Sequence, residues 1–299
     1  MNSSLEPAVF QEQMLPLGPH SLHARMGGRA SALPTVVLEA GGGSTLPVWR
    51  AVEAGLAAHT RVLSYERASI GGSRGPVGSV QAPVVAERLA ALLQAAGITG
   101  PVILVGHSLG GLYSRYYAAT RPASVAGLVL LDPTPEDLHA PPVRWVPALL
   151  WLLHGLARLP PVQGLLPLLK RTPAERDTRR AEIRTLAQPG HVRTLLAEMH
   201  ARPAIQAEVA RVTGAADAPR LPTLVISAGN RPPSMPPEML RGVRRNHQLT
   251  AAAGLPPHSR HLCIEDATHM SLLTDAQHGA SVAAQVLDFA RQITSPRSA

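Results

Sequence analysis

Two stretches of this 299-residue chain match G-x-S-x-G, a pattern that marks serine nucleophiles. They are "PVILVGHSLGGLY", residues 101 to 113, around Ser108, and "SIGGSRGPVG", residues 69 to 78, around Ser73. A serine hydroxyl is a poor nucleophile at neutral pH, so it needs a base and a backbone that presents it. That backbone is a sharp turn from a buried strand into a helix. The hydroxyl then stands clear of the sheet, flanking glycines avoid Cβ clashes, and the helix N-terminus offers free N–H groups and partial positive charge. Ahead of Ser108 runs "PVILV", short, apolar and β-branched, and behind it "LGGLYSRYYAAT" has helical apolar spacing that stops at Arg121-Pro122. Ser73 instead follows "YERASIGG" and runs into Arg74-Gly75-Pro76, turn residues with no helix to open. Ser108 reads as an elbow and Ser73 as a loop.

The elements that must position such a serine alternate along the chain. "QMLPLGPHSLHARM" reads as a hairpin turning at Gly18-Pro19. It is followed by the strand "PTVVLEA", a glycine loop, a helix around "PVWRAVEAGLAAH", the strand "RVLSYE" and the helix "VQAPVVAERLAALLQAAG". After the Ser108 unit comes "VAGLVLLD", a strand ending at Asp132. Residues 133 to 220 then show only helical patterns. Alternation resumes with "LPTLVISAG", a helix near "PEMLRGVRRNHQLTAA", the strand "RHLCIED" and the helix "ASVAAQVLDFARQI". This order predicts a mainly parallel sheet with helices on both faces, formed by residues 1–132 and 221–299. Residues 133–220 are expected to form a helical cap over the carboxyl ends of the strands, inserted before the last two of them.

Bulk composition narrows the function classes. Apolar residues make up 45% and charged residues 16%, which is a globular balance. The net charge of +8 rests almost wholly on scattered arginines, with Lys170 the one lysine, and no reader motif or aromatic platform accompanies it. Nucleic acid is therefore not an expected partner. A single cysteine excludes an internal disulfide and a cysteine-rich zinc site, and its place in "HLCIED" predicts a buried strand thiol. "MNSSLEPAVFQEQM" lacks both a basic start and an apolar core, so no secretion signal is expected. "WVPALLWLLHGLARL" is too short for a membrane span and carries His154 and Arg158, which predicts a soluble, cytoplasmic protein without stable membrane insertion. Trp145, Trp151 and their leucines exceed what one core-facing helix stripe needs. They are read either as packing within the cap or as the lining of an apolar acyl pocket.

The element order, G-H-S-L-G-G at the elbow, "LEAGGGS", "YERASIGGS" and "EDATHMSLL" together resemble the α/β-hydrolase superfamily, and in particular its cofactor-free serine esterase and lipase-like branch. The resemblance covers residues 13 to 132 and 221 to 295. It implies the triad order Ser, acid, His, with the histidine on the loop after the last strand. His269 fits that place; His258 and His261 lie at or in the strand, and His278 falls by the last helix. His107 is read as packing the elbow. The resemblance also implies an oxyanion hole built from the N–H of Leu109 and, from the glycine loop, that of Gly42. Ala40 stands where the family has a bracing histidine. Ser73 becomes the last serine of a structural loop motif in which Glu66 and Ser69 replace Asp and Gly, and Ser69 suggests a less strained turn.

The acid is the open choice. "LVISAGNRP" presents Asn230 where many relatives carry Asp, whereas Asp132 occupies the superfamily's other acid position, and Glu265 and Asp266 lie near His269 in sequence only. Asp132 is taken as the acid. The expected function is a serine hydrolase cleaving a small-molecule carboxylic ester, possibly an amide or thioester, with an apolar acyl group. No metal or organic cofactor is needed for that chemistry. Alternatives are carbon–carbon bond hydrolysis or acyl transfer on the same fold, or a weakly catalytic ligand-binding pseudoenzyme, which Asn230 would favour.

Overall fold

The computed structural model describes residues 10–137, 145–169, 173–233 and 235–295. The leader reading rests partly on residues 1–9 and the lone lysine is Lys170; both lie outside that set. Eight strands run in chain order: β1 (Gln11–Leu17), β2 (His20–Gly28), β3 (Val36–Glu39), β4 (Arg61–Tyr65), β5 (Val102–His107), β6 (Val125–Leu131), β7 (Thr223–Ala228) and β8 (Arg260–Ile264). They form one sheet in the order β1-β2-β4-β3-β5-β6-β7-β8. The first hairpin is antiparallel and turns at Gly18 with φ +60, β2 pairs antiparallel with β4, and every later pairing is parallel. The helices are α1 (Arg50–Leu56), α2 (Ala82–Ala95), α3 (Leu109–Thr120), α4 (Val146–Ala157), α5 (Pro160–Leu165), α6 (Pro173–Leu186), α7 (Pro189–Thr213), α8 (Pro237–Ala252), α9 (Ser271–Thr274) and α10 (Ala276–Thr294).

Side chains alternate across a strand, so a sheet covered twice needs apolar residues at every position. Strands β3, β5 and β7 meet this demand and are buried throughout. Val37, Leu104, Leu130 and Val225 face one core, with Leu89 of α2, Leu112 and Tyr113 of α3, and Ile205 of α7. Their neighbours Leu38, Val105, Leu131 and Ile226 face the other, against Val52 and Leu56 of α1 and Val286 and Phe289 of α10. Each such side chain removed from water contributes roughly 1.5–3 kcal/mol. The strand β8 departs from this rule. It closes the sheet edge and none of its residues is fully buried, so Cys263 is exposed, contrary to the buried thiol that alternation suggests. Period-two spacing reports two faces but not whether a strand has neighbours on both sides.

Four helices, α4 to α7, lie between β6 and β7, and the described residues there contain no strand. Helix α7 packs along α3, and its Gln206 side chain donates to Pro135 O just beyond β6.

Close packing fixes the glycines around Ser108. A Cβ on Gly106 would lie 2.7 Å from Gly110 O, and one on Gly110 would lie 2.5 Å from Ala40 O. Helix α3 thus starts flush against the end of β3, with no room for a methyl group. Replacing Gly110 with Ala should cost about 2 kcal/mol or more, because the obstructing atoms are backbone and cannot swing aside. Urea unfolding of Gly110→Ala at neutral pH measures this, and an unchanged midpoint would contradict the packing.

Candidate active site

Ser108 joins β5 to α3 with φ 52 and ψ −121, a conformation that L-residues rarely adopt. Backbone bonds over-determine it. Ser108 N donates to Leu131 O at 3.2 Å, while Gly111 N and Thr134 N donate to Ser108 O at 3.0 and 3.1 Å. The strain is therefore shared with the end of β6, where Asp132 also has positive φ, +41. Both residues leave the sheet at its carboxyl edge.

Asp132 is buried and receives three donors. His269 Nδ1 donates to Oδ2 at 2.6 Å, Ala228 N to Oδ1 at 3.3 Å, and the Arg231 guanidinium grips both oxygens. Burial alone would raise the carboxyl pKa, but the His269 hydrogen bond and the Arg231 charge hold it down to about 2. With Nδ1–H committed to Asp132, the His269 Nε2 is left as the acceptor, which is the tautomer a general base requires. His107 fastens the ring from behind. Its Nε2 donates to His269 O at 3.0 Å and the two rings sit 4.5 Å apart. Among the described residues Ser108 Oγ makes no hydrogen bond to His269; such contacts are long in unliganded sites and tighten around substrate.

The glycine loop after β3 approaches from the other side. A Cβ on Gly41 would stand 3.3 Å from Ser108 Cβ, and one on Gly42 would stand 3.6 Å from Leu109 Cδ2. The loop is held by Arg67, which is buried. Its Nη1 donates to Glu39 Oε1 and Ala40 O, both at 2.6 Å, its Nη2 to Gly41 O at 2.8 Å, and its Nε to Glu198 Oε1 of α7 at 2.8 Å. Glu198 Oε2 in turn accepts from Gly43 N at 3.0 Å. In a trans peptide the C=O and N–H point in opposite directions. Anchoring Gly41 O on Arg67 therefore turns the Gly42 N–H away from the guanidinium. Burial opposes the Arg67 charge, but Glu198 and Glu39 outweigh it and raise its pKa well above the usual range.

Ser73 is spent on structure. Its Oγ donates to Glu66 O at 2.6 Å and accepts from His23 N at 2.9 Å. Ser69 corrects the expectation of a relaxed turn: it keeps φ +62, the left-handed conformation a glycine would take. Its hydroxyl donates to Pro76 O at 3.0 Å. Asn230 is exposed, with its backbone N bonded to Ala267 O, and it does not hydrogen-bond to His269. Asp266 pairs with His278 at 3.3 Å and not with His269. Sequence reasoning missed Arg231, Arg67 and Glu198. Arg231 had a signal, a cation beside the position where an acid was lacking. Glu198 had none, being 131 residues from its partner.

A family profile described as the alpha/beta hydrolase fold matches residues 34–276. This chain belongs to that family. A protein of Hormonema carpetanum named as a transporter is 32% identical over 145 residues, covering 46% of this chain and 20% of that one. An esterase of Mycobacterium tuberculosis is 32% identical over 158 residues, covering 52% of this chain and 51% of the relative. The chain thus spans between a fifth and about half of the length of these relatives. Among solved structures, Cfl2 from Burkholderia cenocepacia superposes with a TM-score of 0.67 at 23% identity, covering 97% of this chain and 98% of that one. At that identity the likeness concerns the fold.

Two cavities flank the site of this α/β hydrolase. One, about 570 Å³, lies against Asp132, His269, Met270 and Arg231. The other, about 550 Å³, runs from Gly43 and Ser44 among Leu153, Leu156, Leu166 and Ile183. No group of histidine, cysteine, aspartate and glutamate side chains is placed to hold a metal among the described residues.

Burial, reinforced by His269, pushes the His107 imidazole down to about 3. A histidine that is neutral when folded but titrates at 6.5 when unfolded binds its proton only on unfolding. Its contribution is complete above pH 6.5 and is lost as pH falls toward the folded value. Substituting His107 with Gln keeps a donor for His269 O and removes the titration. It should flatten the decline of unfolding free energy between pH 6.5 and about 4 by about 1 kcal/mol per pH unit. That window lies above the range in which Asp132 protonates. Urea titrations of both proteins across it provide the measurement, and equal slopes would refute the assignment.

Proposed function

We propose that this chain is a serine hydrolase that cleaves carboxylic esters through an acyl-enzyme on Ser108. The observation that carries the reading is the 2.6 Å His269–Asp132 hydrogen bond, which leaves Nε2 as a base beside a strained serine turn. In the proposed cycle Ser108 Oγ attacks the ester carbonyl carbon and its proton passes to His269 Nε2. The carbonyl oxygen becomes an oxyanion that accepts from Leu109 N–H, the first donor of α3, and from Gly42 N–H. Collapse breaks the bond to the alcohol oxygen, which takes the proton from His269. Water, deprotonated by the same nitrogen, then releases the acid. Asp132 keeps the ring oriented and stabilises the imidazolium. Since the acid comes from β6, Asn230 at the end of β7 does not argue for a pseudoenzyme.

On this reading residues 133–220 form the cap and residues 1–132 with 221–299 the catalytic core. The leucine-lined cavity beside Gly43 suits an apolar acyl group, although the side chains lining it are Leu153, Leu156 and Leu166 and neither Trp145 nor Trp151. Trp145 is 63% exposed, whereas Trp151, 40% exposed, sets its ring edge-on against the buried His154 at 5.4 Å between centroids.

Replacing Ser108 with Ala should abolish ester hydrolysis and fluorophosphonate labelling, a loss of roughly a million-fold in a comparable triad. Ser73→Ala should retain most activity, and Asp132→Asn should cost about a thousand-fold or more. Steady-state assays on short and medium-chain p-nitrophenyl esters measure all three. Near-wild-type turnover by Ser108→Ala would overturn the reading. A separate substitution, Glu198→Gln, weakens the hold on Arg67 and on Gly43 N. It should lower kcat roughly ten- to a hundred-fold with KM little changed, since an oxyanion donor acts mainly in the transition state. A change in thermal stability alone, with kcat intact, would make the clamp merely structural.

A further inference from the structure

We propose that the outer face of α4, α5 and the turn after them docks reversibly on an anionic lipid surface. Seventeen large hydrophobic side chains are exposed among the described residues, and eleven of them fall within residues 145–169. The most exposed of them are Leu169 at 77%, Leu165 at 64%, Trp145 at 63% and Leu152 at 59%. The inner face of α4 is fastened down, with His154 buried and its Nδ1 bonded to Leu186 O at 2.8 Å. The apolar outer face is therefore a fixed surface and not a loosely packed core. Exposed apolar side chains concentrated in one short stretch of chain mark an interaction site.

Its chemistry selects the occupant. Residues 138–174 contain no Asp or Glu, whereas Arg144, Arg158, Lys170 and Arg171 fall within them, in a chain of net charge +8. Arg158, at the end of α4, is exposed beside the leucines. Leucines and tryptophans with the exposed Arg158 beside them, in a stretch of sequence that holds cations and no acid, suit the headgroup–acyl boundary of an anionic bilayer, where indole rings settle and arginines meet lipid phosphates. A second copy would bring like charges together. No helix among the described residues is long and apolar enough to cross a membrane, which makes the contact an interfacial one.

The position also has a use, and this step rests on the ester hydrolase reading. Leu153, Leu156 and Leu166 belong both to the exposed set and to the lining of the cavity that reaches Gly43. An ester dissolved in the bilayer could enter there with little passage through water.

The test is co-sedimentation of the full chain with vesicles of phosphatidylglycerol and phosphatidylcholine, against phosphatidylcholine alone. Wild-type protein should bind the anionic vesicles at least tenfold more tightly than the neutral ones, and high salt should weaken the binding. Brominated lipid should quench its tryptophan fluorescence. The triple variant Trp145→Ser, Leu152→Ser, Leu165→Ser should lose tenfold or more of this binding while hydrolysing a soluble short-chain ester at the wild-type rate. Absence of vesicle binding by wild type, equal binding by the variant, or a dimer seen by sedimentation that the variant abolishes would each overturn the proposal. Ser108→Ala should still bind vesicles, so a failure of the hydrolase reading would be seen separately from a failure of docking.

Discussion

The guanidinium of Arg67 is the point on which the site converges. Its donors reach Glu39 at the end of β3, Ala40 and Gly41 in the loop that follows, and Glu198 on helix α7, while Glu39 also accepts from the Tyr65 hydroxyl. Removing so many charges from water is costly, and the arrangement survives only because each has a partner of opposite sign or a fixed dipole. What the cluster yields is geometry: two peptide units beside Ser108 are held at set orientations. Arg67 braces the glycine loop at Ala40 and Gly41 from the segment that follows β4, the strand beside β3.

Strain and charge then divide the labour at the carboxyl edge of the sheet. Among the described residues three that are not glycine have positive φ, namely Ser69, Ser108 and Asp132. Ser108 and Asp132 sit where the chain leaves β5 and β6, Ser69 lies in the loop after β4, and each is pinned by hydrogen bonds to a neighbouring segment. The two sides of the site have different electrostatic partners. Asp132 is gripped by a cation, Arg231, whereas the glycine loop is gripped by a cation already shared with two carboxylates. Asp132 thus remains ionised well below neutral pH.

The fold was readable in the chain because its signals are local. Alternation and helical spacing located the eight strands, and the elbow was separated from its decoy by the strand before Ser108 and the helix after it. His269 and Asp132 were picked out by the resemblance, which puts a histidine after the last strand and an acid at a strand end, and the two side chains hydrogen-bond to each other. The failures share one cause, direction. The apolar stretch around Trp151 announces a helix but not which way it faces, and Cys263 lies on a strand whose edge position no pattern of spacing reveals. Ser69 looked like a relaxation because residue type was taken to set backbone conformation. Here a hydrogen-bonded loop imposes the conformation on whatever residue is present. Arg67 sat inside a recognised motif, yet its partner on α7 lies in a segment without motifs.

Helix α7 has a second consequence. The segment between β6 and β7 looks like an interchangeable attachment, leaving the sheet after Asp132 and returning at Thr223. Yet it carries Glu198, whose carboxylate is sealed against Arg67 and Gly43. A graft of helices into this segment would leave the Nε of Arg67 and the N–H of Gly43 without their acceptor unless the donor brought a carboxylate to that spot. The segment is thus coupled to the glycine loop through one buried side chain, and the two can be exchanged only as a unit.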